Sequence, residues 1–427
     1  MTPVVDGSEL SQVELPCYGI RRIQAALLAR EELVDSAIEL IDLKTPDIDG
    51  YVEAIELFDA DLVGISVFVW SFPVMVEVAR RLKSRRPGTV VVFGGPSARP
   101  AMFALAPYAG HEAYCDAAVT MEGELTFAEL ACLPEISKES MAGVAGLTIA
   151  VPGGWRCTPE RPKLIELDPI ASPFQMGIMP GRAVGYLETY RGCPMSCAFC
   201  EWGVSGDANS TFSREYLVRE LAALKAARAP ATFLVDAGLN LNSRAFRNLR
   251  DAEREIGYFK DAFLWCEVYP THFKPEHTEF LGSIATSYCG IGLQSIDPVV
   301  LKRLERPFDP GRFESVVKHL ASMARCEIQI IMALPGDTPE GFRRTLDYAR
   351  SMGVAVRAYH CLVLPDALMT RSEAGWDVKF DPVSLEMKSC WGWSADQIGA
   401  TRETLTAEAL ASGGSAGQFW WHFEAGR

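Results

Sequence analysis

Six times between residues 183 and 365 a short β-rich apolar run is followed by a stretch of helical periodicity. This repeat limits the fold more than any other feature of the chain. The runs are 183–190, 231–238, 262–269, 288–295, 327–336 and 356–365, separated by patterns such as REYLVRELAALKAA and PEGFRRTLDYARSM. Strands alternating with helices pair in parallel, because each crossover needs a covering helix. Six such units fall short of the eight of a closed barrel. They predict a partial (β/α)6 barrel whose active site lies at the C-terminal ends of its strands.

A second alternation precedes it. SAIELIDL (36–43), DLVGISVF (61–68), TVVVFGG (89–95) and AAVT (117–120) read as strands, with MTPVV as a further candidate at the start. Residues 52–58, 74–82 and the segment EGELTFAELACL carry helical spacing. The expectation is an α/β chain: a doubly wound, Rossmann- or flavodoxin-like domain over 1–135, then a linker with a small hairpin over 136–180. The barrel follows over 181–380. A short C-terminal segment, 381–427, carries Trp391, Trp393, Trp420 and Trp421 and is expected to dock on the barrel and partly cap it.

Charge and composition exclude several classes. There are 41 Lys and Arg against 55 Asp and Glu, a net charge of −14, which opposes generic binding to a polyanion. The uncharged stretch from Leu62 to Val76 is too short to span a bilayer and contains Pro73. No secretory signal is visible, so the twelve cysteines are read as reduced thiols or metal ligands in a cytoplasmic enzyme.

The chemistry concentrates in RGCPMSCAFCEWG (191–203), directly after the first barrel strand. Cys193, Cys197 and Cys200 follow C-x3-C-x2-C. Three thiolates on one tight loop suit three irons of a 4Fe–4S cluster and leave the fourth iron open to another ligand. Structural zinc sites use four protein ligands and seldom this spacing. The other nine cysteines show no second cluster and read as small buried apolar residues.

This loop, at the end of the first strand of a six-unit barrel, resembles that of radical S-adenosylmethionine (radical SAM) enzymes. The resemblance covers about residues 183–365. It implies that SAM chelates the open iron and is cleaved reductively to a 5′-deoxyadenosyl radical. By the same resemblance, Phe199 lies against the adenine, Gln294 and Ser295 of GLQSID approach the ribose, and ALPGDTPEGF (333–342) passes near the adenine. The Gly-Gly-Glu that many members place after the second strand is absent; VDAGLN (235–240) stands there. Either Asp236 or Glu267 is therefore expected to meet the ligand's ammonium.

GISVFVW (64–70), VVFGGPSARP (91–100) and MEGELTF (121–127) resemble the cobalamin-binding domain that precedes the barrel in one branch of that family. The resemblance implies cobalamin contacts from Ser66, Trp70, Gly94, Gly95, Glu122, Gly123 and Glu124. Gly94 and Gly95 end a strand at the sheet edge where α/β folds bind ligands. The family's Gly-Glu-Gly-Glu reads Met121-Glu122-Gly123-Glu124 here. None of the six histidines lies in Asp-x-His-x-x-Gly, so cobalt is expected to have no histidine below it, with Trp70 near the corrin.

The cofactors implied are a 4Fe–4S cluster, SAM and cobalamin. The activity implied is methyl transfer from SAM, via methylcobalamin, to a poorly activated carbon of a natural-product, peptide or amino-acid substrate. An external flavodoxin or ferredoxin is the expected electron donor, with no nucleic-acid or membrane partner. Two other readings stay open: a cobalamin-dependent radical SAM rearrangement or cyclisation, and a non-catalytic accessory protein binding cobalamin or iron–sulfur. Nothing in the residues names the substrate or the oligomeric state.

Overall fold

A computed structural model describes residues 15–43, 45–205 and 208–426. The chain divides into two compact units. The first holds residues 1–164, 168–180 and 382–384, and the second holds 165–167, 181–381 and 385–427.

In the first unit, helix α1 (Tyr18–Leu28) and helix α2 (Ile48–Phe58) precede strand β1 (Leu62–Ser66). Then come α3 (Phe72–Arg85), β2 (Val90–Gly94), β3 (Ala117–Val119) and α4 (Glu124–Ala131). The first three strands pair in parallel. Val91, Val92 and Phe93 of β2 are all at most 1% exposed, so the sheet is covered on both faces, as a doubly wound fold requires. On one side Phe72, Phe93, Phe103 and Tyr108 meet edge to face; on the other, Val92, Phe127, Leu130 and Ile149 share a core.

MTPVV lies outside the described residues. The run 36–43 is not a strand: none of its residues is buried and none joins the sheet. Glu39 and Asp42 interrupt its apolar side chains, so it has no two-sided apolar surface to bury. The hairpin expected within 136–180 is present as β4 (Leu147–Val151) and β5 (Gly154–Cys157). It extends the sheet antiparallel beyond β3.

The second unit holds all six expected parallel strands. They are β6 (Gly185–Leu187), β7 (Ala231–Leu234), β8 (Phe263–Glu267), β9 (Thr286–Gln294), β10 (Arg325–Met332) and β11 (Ala355–His360), hydrogen-bonded in that order. Between β6 and β8 run helices α5 (Arg214–Ala226) and α6 (Ser243–Ile256), begun by the side chains of Ser213 and Asn242. Proline at the first turn and an Asp or Thr cap start the helices after β9 and β10 in the same way.

The tail does more than dock. After α7 (Ala395–Ala411), strands β12 (Ser415–Ala416) and β13 (Trp420–Phe423) join the barrel sheet, with β13 antiparallel to β11. Trp421 is 1% exposed and donates its indole N–H to Thr406 on α7 at 2.9 Å. Arg402 of α7 donates to His360 Nδ1 at 2.9 Å and Glu386 at 2.8 Å, fixing the helix against the sheet. Among the described residues no helix is long and apolar enough to cross a membrane.

Candidate active site and cofactor-binding edge

The cysteine loop leaves β6 through a clamp. Asp236, just past β7 and 4% exposed, accepts the backbone N–H groups of Thr189 (2.8 Å) and Tyr190 (3.4 Å) and the Thr189 hydroxyl. In return the Tyr190 hydroxyl donates to the Gly238 carbonyl at 2.9 Å. Burial pushes the Asp236 carboxyl up to about 7, against the pull of those three donors. Its oxygens thus face the backbone that leads into the cysteine loop.

Cys193 and Cys197 are buried, and Cys200 is partly so. Burial raises the Cys193 thiol and takes Cys200 up to about 11; the neighbouring sulfurs add to this, and Arg306 opposes it. Among the described residues no three His, Cys, Asp or Glu side chains converge as they would around one ion.

Arg306 was not visible from spacing. It is 8% exposed, yet its guanidinium lies 4.0 Å from the Cys197 sulfur, donates to the Gly292 carbonyl at 2.7 Å and covers the Tyr269 ring at 4.6 Å. A buried guanidinium needs acceptors. The Cys197 sulfur and the Gly292 carbonyl are the acceptors that this cation finds. Arg371 adds a hydrogen bond to the Cys197 carbonyl at 3.3 Å.

Gln294 ends β9 with φ of 68°, in the left-handed region, and shares the space over Gly292 with Arg306. Ser295 is 1% exposed and its hydroxyl accepts the Asp297 N–H at 3.1 Å, at the start of the next helix. Phe199 is partly buried on the loop. Glu267, at the end of β8, accepts from Gln329 of β10 at 3.0 Å. The structure therefore brings Gln294 to the cysteines through Arg306. It turns Asp236 to the backbone and pairs Glu267 with a side chain the sequence did not single out.

In the first unit the loops after β1, β2 and β3 leave the same sheet edge, with Ser66 in register with Gly94. Gly95 has φ of 98°, and a Cβ there would stand 2.6 Å from the Val67 carbonyl oxygen, so only glycine fits. Trp70 is 58% exposed and stacks flat on Phe68, centroids 4.9 Å apart. Met121 adopts φ of 64°, the conformation that a glycine takes without strain. Glu122 is half-buried and Gly123 precedes α4. Glu124 faces Arg22 of α1 at 3.6 Å, so its carboxylate ties two helices together. His111, the only histidine of this unit, lies in the turn before β3, at the opposite edge.

Residues 14–131 match the B12 binding domain, and residues 187–349 match the radical SAM superfamily. The chain is 29% identical over 374 residues to 2-(S-pantetheinyl)-carbapenam-3-carboxylate methyltransferase of Streptantibioticus cattleyicolor, covering 79% of this chain and 52% of that enzyme. It is 25% identical over 354 residues to the cobalamin-dependent radical SAM methyltransferase TokK of Streptomyces tokunonensis, covering 76% and 49%. The chain thus spans about half the length of these curated relatives. Its fold matches that of the radical SAM methyltransferase TsrM from Kitasatospora setae, with a TM-score of 0.68 at 17% identity over 92% of this chain and 86% of that one. The chain carries a B12-binding domain followed by a radical SAM domain.

Proposed function

We propose that the protein is a cobalamin-dependent radical SAM methyltransferase acting on a poorly activated carbon of a small-molecule or peptide substrate. The observation that carries this reading is the cysteine loop at the C-terminal end of β6, with the Arg306 guanidinium buried beside Cys197. The named activities of the relatives support it. Natural-product, peptide or amino-acid substrates are all compatible with the reading, and a flavodoxin or ferredoxin would supply the electrons.

The residues present fit the cofactors. Cys193, Cys197 and Cys200 would hold a 4Fe–4S cluster, and Phe199 and Gln294 would lie along SAM. The Phe68–Trp70 stack and the Gly94–Gly95 turn would receive a corrin, with Ser66, Glu122 and Gly123 on the adjoining loops. When bound, these groups supply electron transfer to SAM and a carrier for its methyl group. The chain's own part is positional. Arg306 balances charge at the thiolates, Asp236 holds the loop that bears them, and Gly95 lets backbone approach a bulky ligand. His111 lies at the wrong edge to reach cobalt, which supports a cobalt without a histidine from this unit.

The test is anaerobic reconstitution. Iron and sulfide should each reach about four per chain, the content of one such cluster. Any one of Cys193→Ala, Cys197→Ala or Cys200→Ala should abolish it, while Cys326→Ala and Cys361→Ala should not. With substrate, S-adenosylhomocysteine and 5′-deoxyadenosine should form in equal amounts and match methylated product. Deoxyadenosine without S-adenosylhomocysteine would replace methyl transfer by rearrangement. Equal iron loss from the control cysteines would overturn the cluster assignment.

A further inference from the structure

The two faces of the barrel strands differ. Outward-facing Leu264, Cys266, Cys289, Ile291, Ile328 and Ile330 are 0% exposed, packed under the helices. Their inward neighbours Trp265, Glu267, Tyr288, Ile331 and Tyr359 all keep accessible surface. The interior of an eight-stranded barrel is normally filled by side chains. Here that face is mixed: Glu327, Gln329 and Arg357 are buried, while Trp265, Glu267 and Tyr359 keep some surface.

Glu267 is one of the partly accessible side chains of that face. A Cβ on Gly290, its register partner on β9, would stand 2.4 and 2.6 Å from the two carboxylate oxygens and 2.7 Å from the Gln329 amide nitrogen. The strand therefore needs glycine for the Glu267–Gln329 pair to lie across it. Glu327 holds Arg357 at 2.7 Å and His422 at 3.1 Å, and Arg306 serves Cys197 and the Gly292 carbonyl. Glu267 is held by a neutral amide. Burial and the nearby Glu327 push its carboxyl up to about 7, while Gln329, Arg306 and Arg357 pull the other way. Two residues earlier on the same face Trp265 stands between Phe233 and Tyr288, at 6.0 and 4.4 Å, giving an aromatic surface beside the carboxylate.

We infer that Glu267, oriented by Gln329, recognises the substrate, and that the substrate presents a protonated amine to it beside an apolar or aromatic body. This deepens the proposed methyltransferase reading and rests on it. SAM also carries an ammonium, so the test must separate the two.

Benzylamine and benzyl alcohol are the probes, titrated calorimetrically into the reconstituted holoenzyme at pH 8. Benzylamine should bind about tenfold tighter than the alcohol, as a charge-assisted hydrogen bond outdoes a neutral one. Glu267→Gln should remove that preference and weaken benzylamine far more than SAM. Gln329→Met should weaken benzylamine and leave benzyl alcohol as it was, which a general packing defect would not do. Equal binding of the two probes would overturn the inference. So would a Glu267→Gln variant that loses SAM as strongly as benzylamine, for the carboxylate would then belong to the cofactor. Iron content on the same preparation reports on the proposed function separately.

Discussion

The Asp236 clamp provides the sharpest test of how the barrel presents its cysteines. Asp236→Ala would leave the Thr189 and Tyr190 N–H groups and the Thr189 hydroxyl buried without their acceptor. Each such group costs about 1–3 kcal/mol, and the 3.4 Å contact is the weakest, so the total is about 3–4 kcal/mol. At about 1.4 kcal/mol per factor of ten, the population with a frayed loop rises by about two to three orders of magnitude. Iron loss to a chelator from the reconstituted protein should accelerate accordingly. Asp236→Asn keeps an acceptor for the backbone and should stay within about tenfold of the parent. The carboxyl also sets a pH dependence. Its folded value, about 7, lies above the ordinary 3.8, so the folded chain binds the proton more tightly. The stability it contributes is complete below 3.8 and is lost as pH rises through about 7. Asp236→Asn should flatten that part of the decline in a denaturation series from pH 5 to 8. Iron release from Asp236→Ala at the parent rate would refute the clamp.

Three further outcomes are expected. Arg306→Met removes the cation beside Cys197, so the cluster should become harder to reduce, its midpoint potential moving more negative with Arg306→Lys in between; an unchanged potential would count against the charge-balancing role. Gly95→Ala forces a Cβ against the Val67 carbonyl and a left-handed residue that costs about 1–2 kcal/mol. It should lower corrinoid retention in gel filtration, whereas Gly88→Ala, with nothing within 4 Å, should not. Glu327→Gln strands Arg357 in the lumen and should cost about 3–5 kcal/mol in urea denaturation, with much of the loss recovered when Arg357→Met is added.

Much of this arrangement was legible in the chain itself. The alternation of apolar runs and helical spacing marked all six barrel strands and three of the parallel strands of the first unit, because burial on both faces writes a continuous apolar run. The cysteine spacing marked the loop, because its three ligands are local in sequence. The same reasoning misread 36–43, where the run was apolar enough to suggest a strand but none of its residues is buried.

What the tertiary structure alone decided are the pairings between distant residues. Arg306 reaches Cys197 from 109 residues away, and Gln329 reaches Glu267 from 62. The register of β8, β9 and β10 sets Glu267 against Gly290 and brings Gln329 beside it, and no periodicity encodes register between strands. Trp420 and Trp421 looked like a docking surface and became the strand that hydrogen-bonds to β11, because an open parallel sheet leaves an edge whose backbone groups need partners. Local patterns record which faces are buried; which charges meet inside the barrel depends on how the strands close around it.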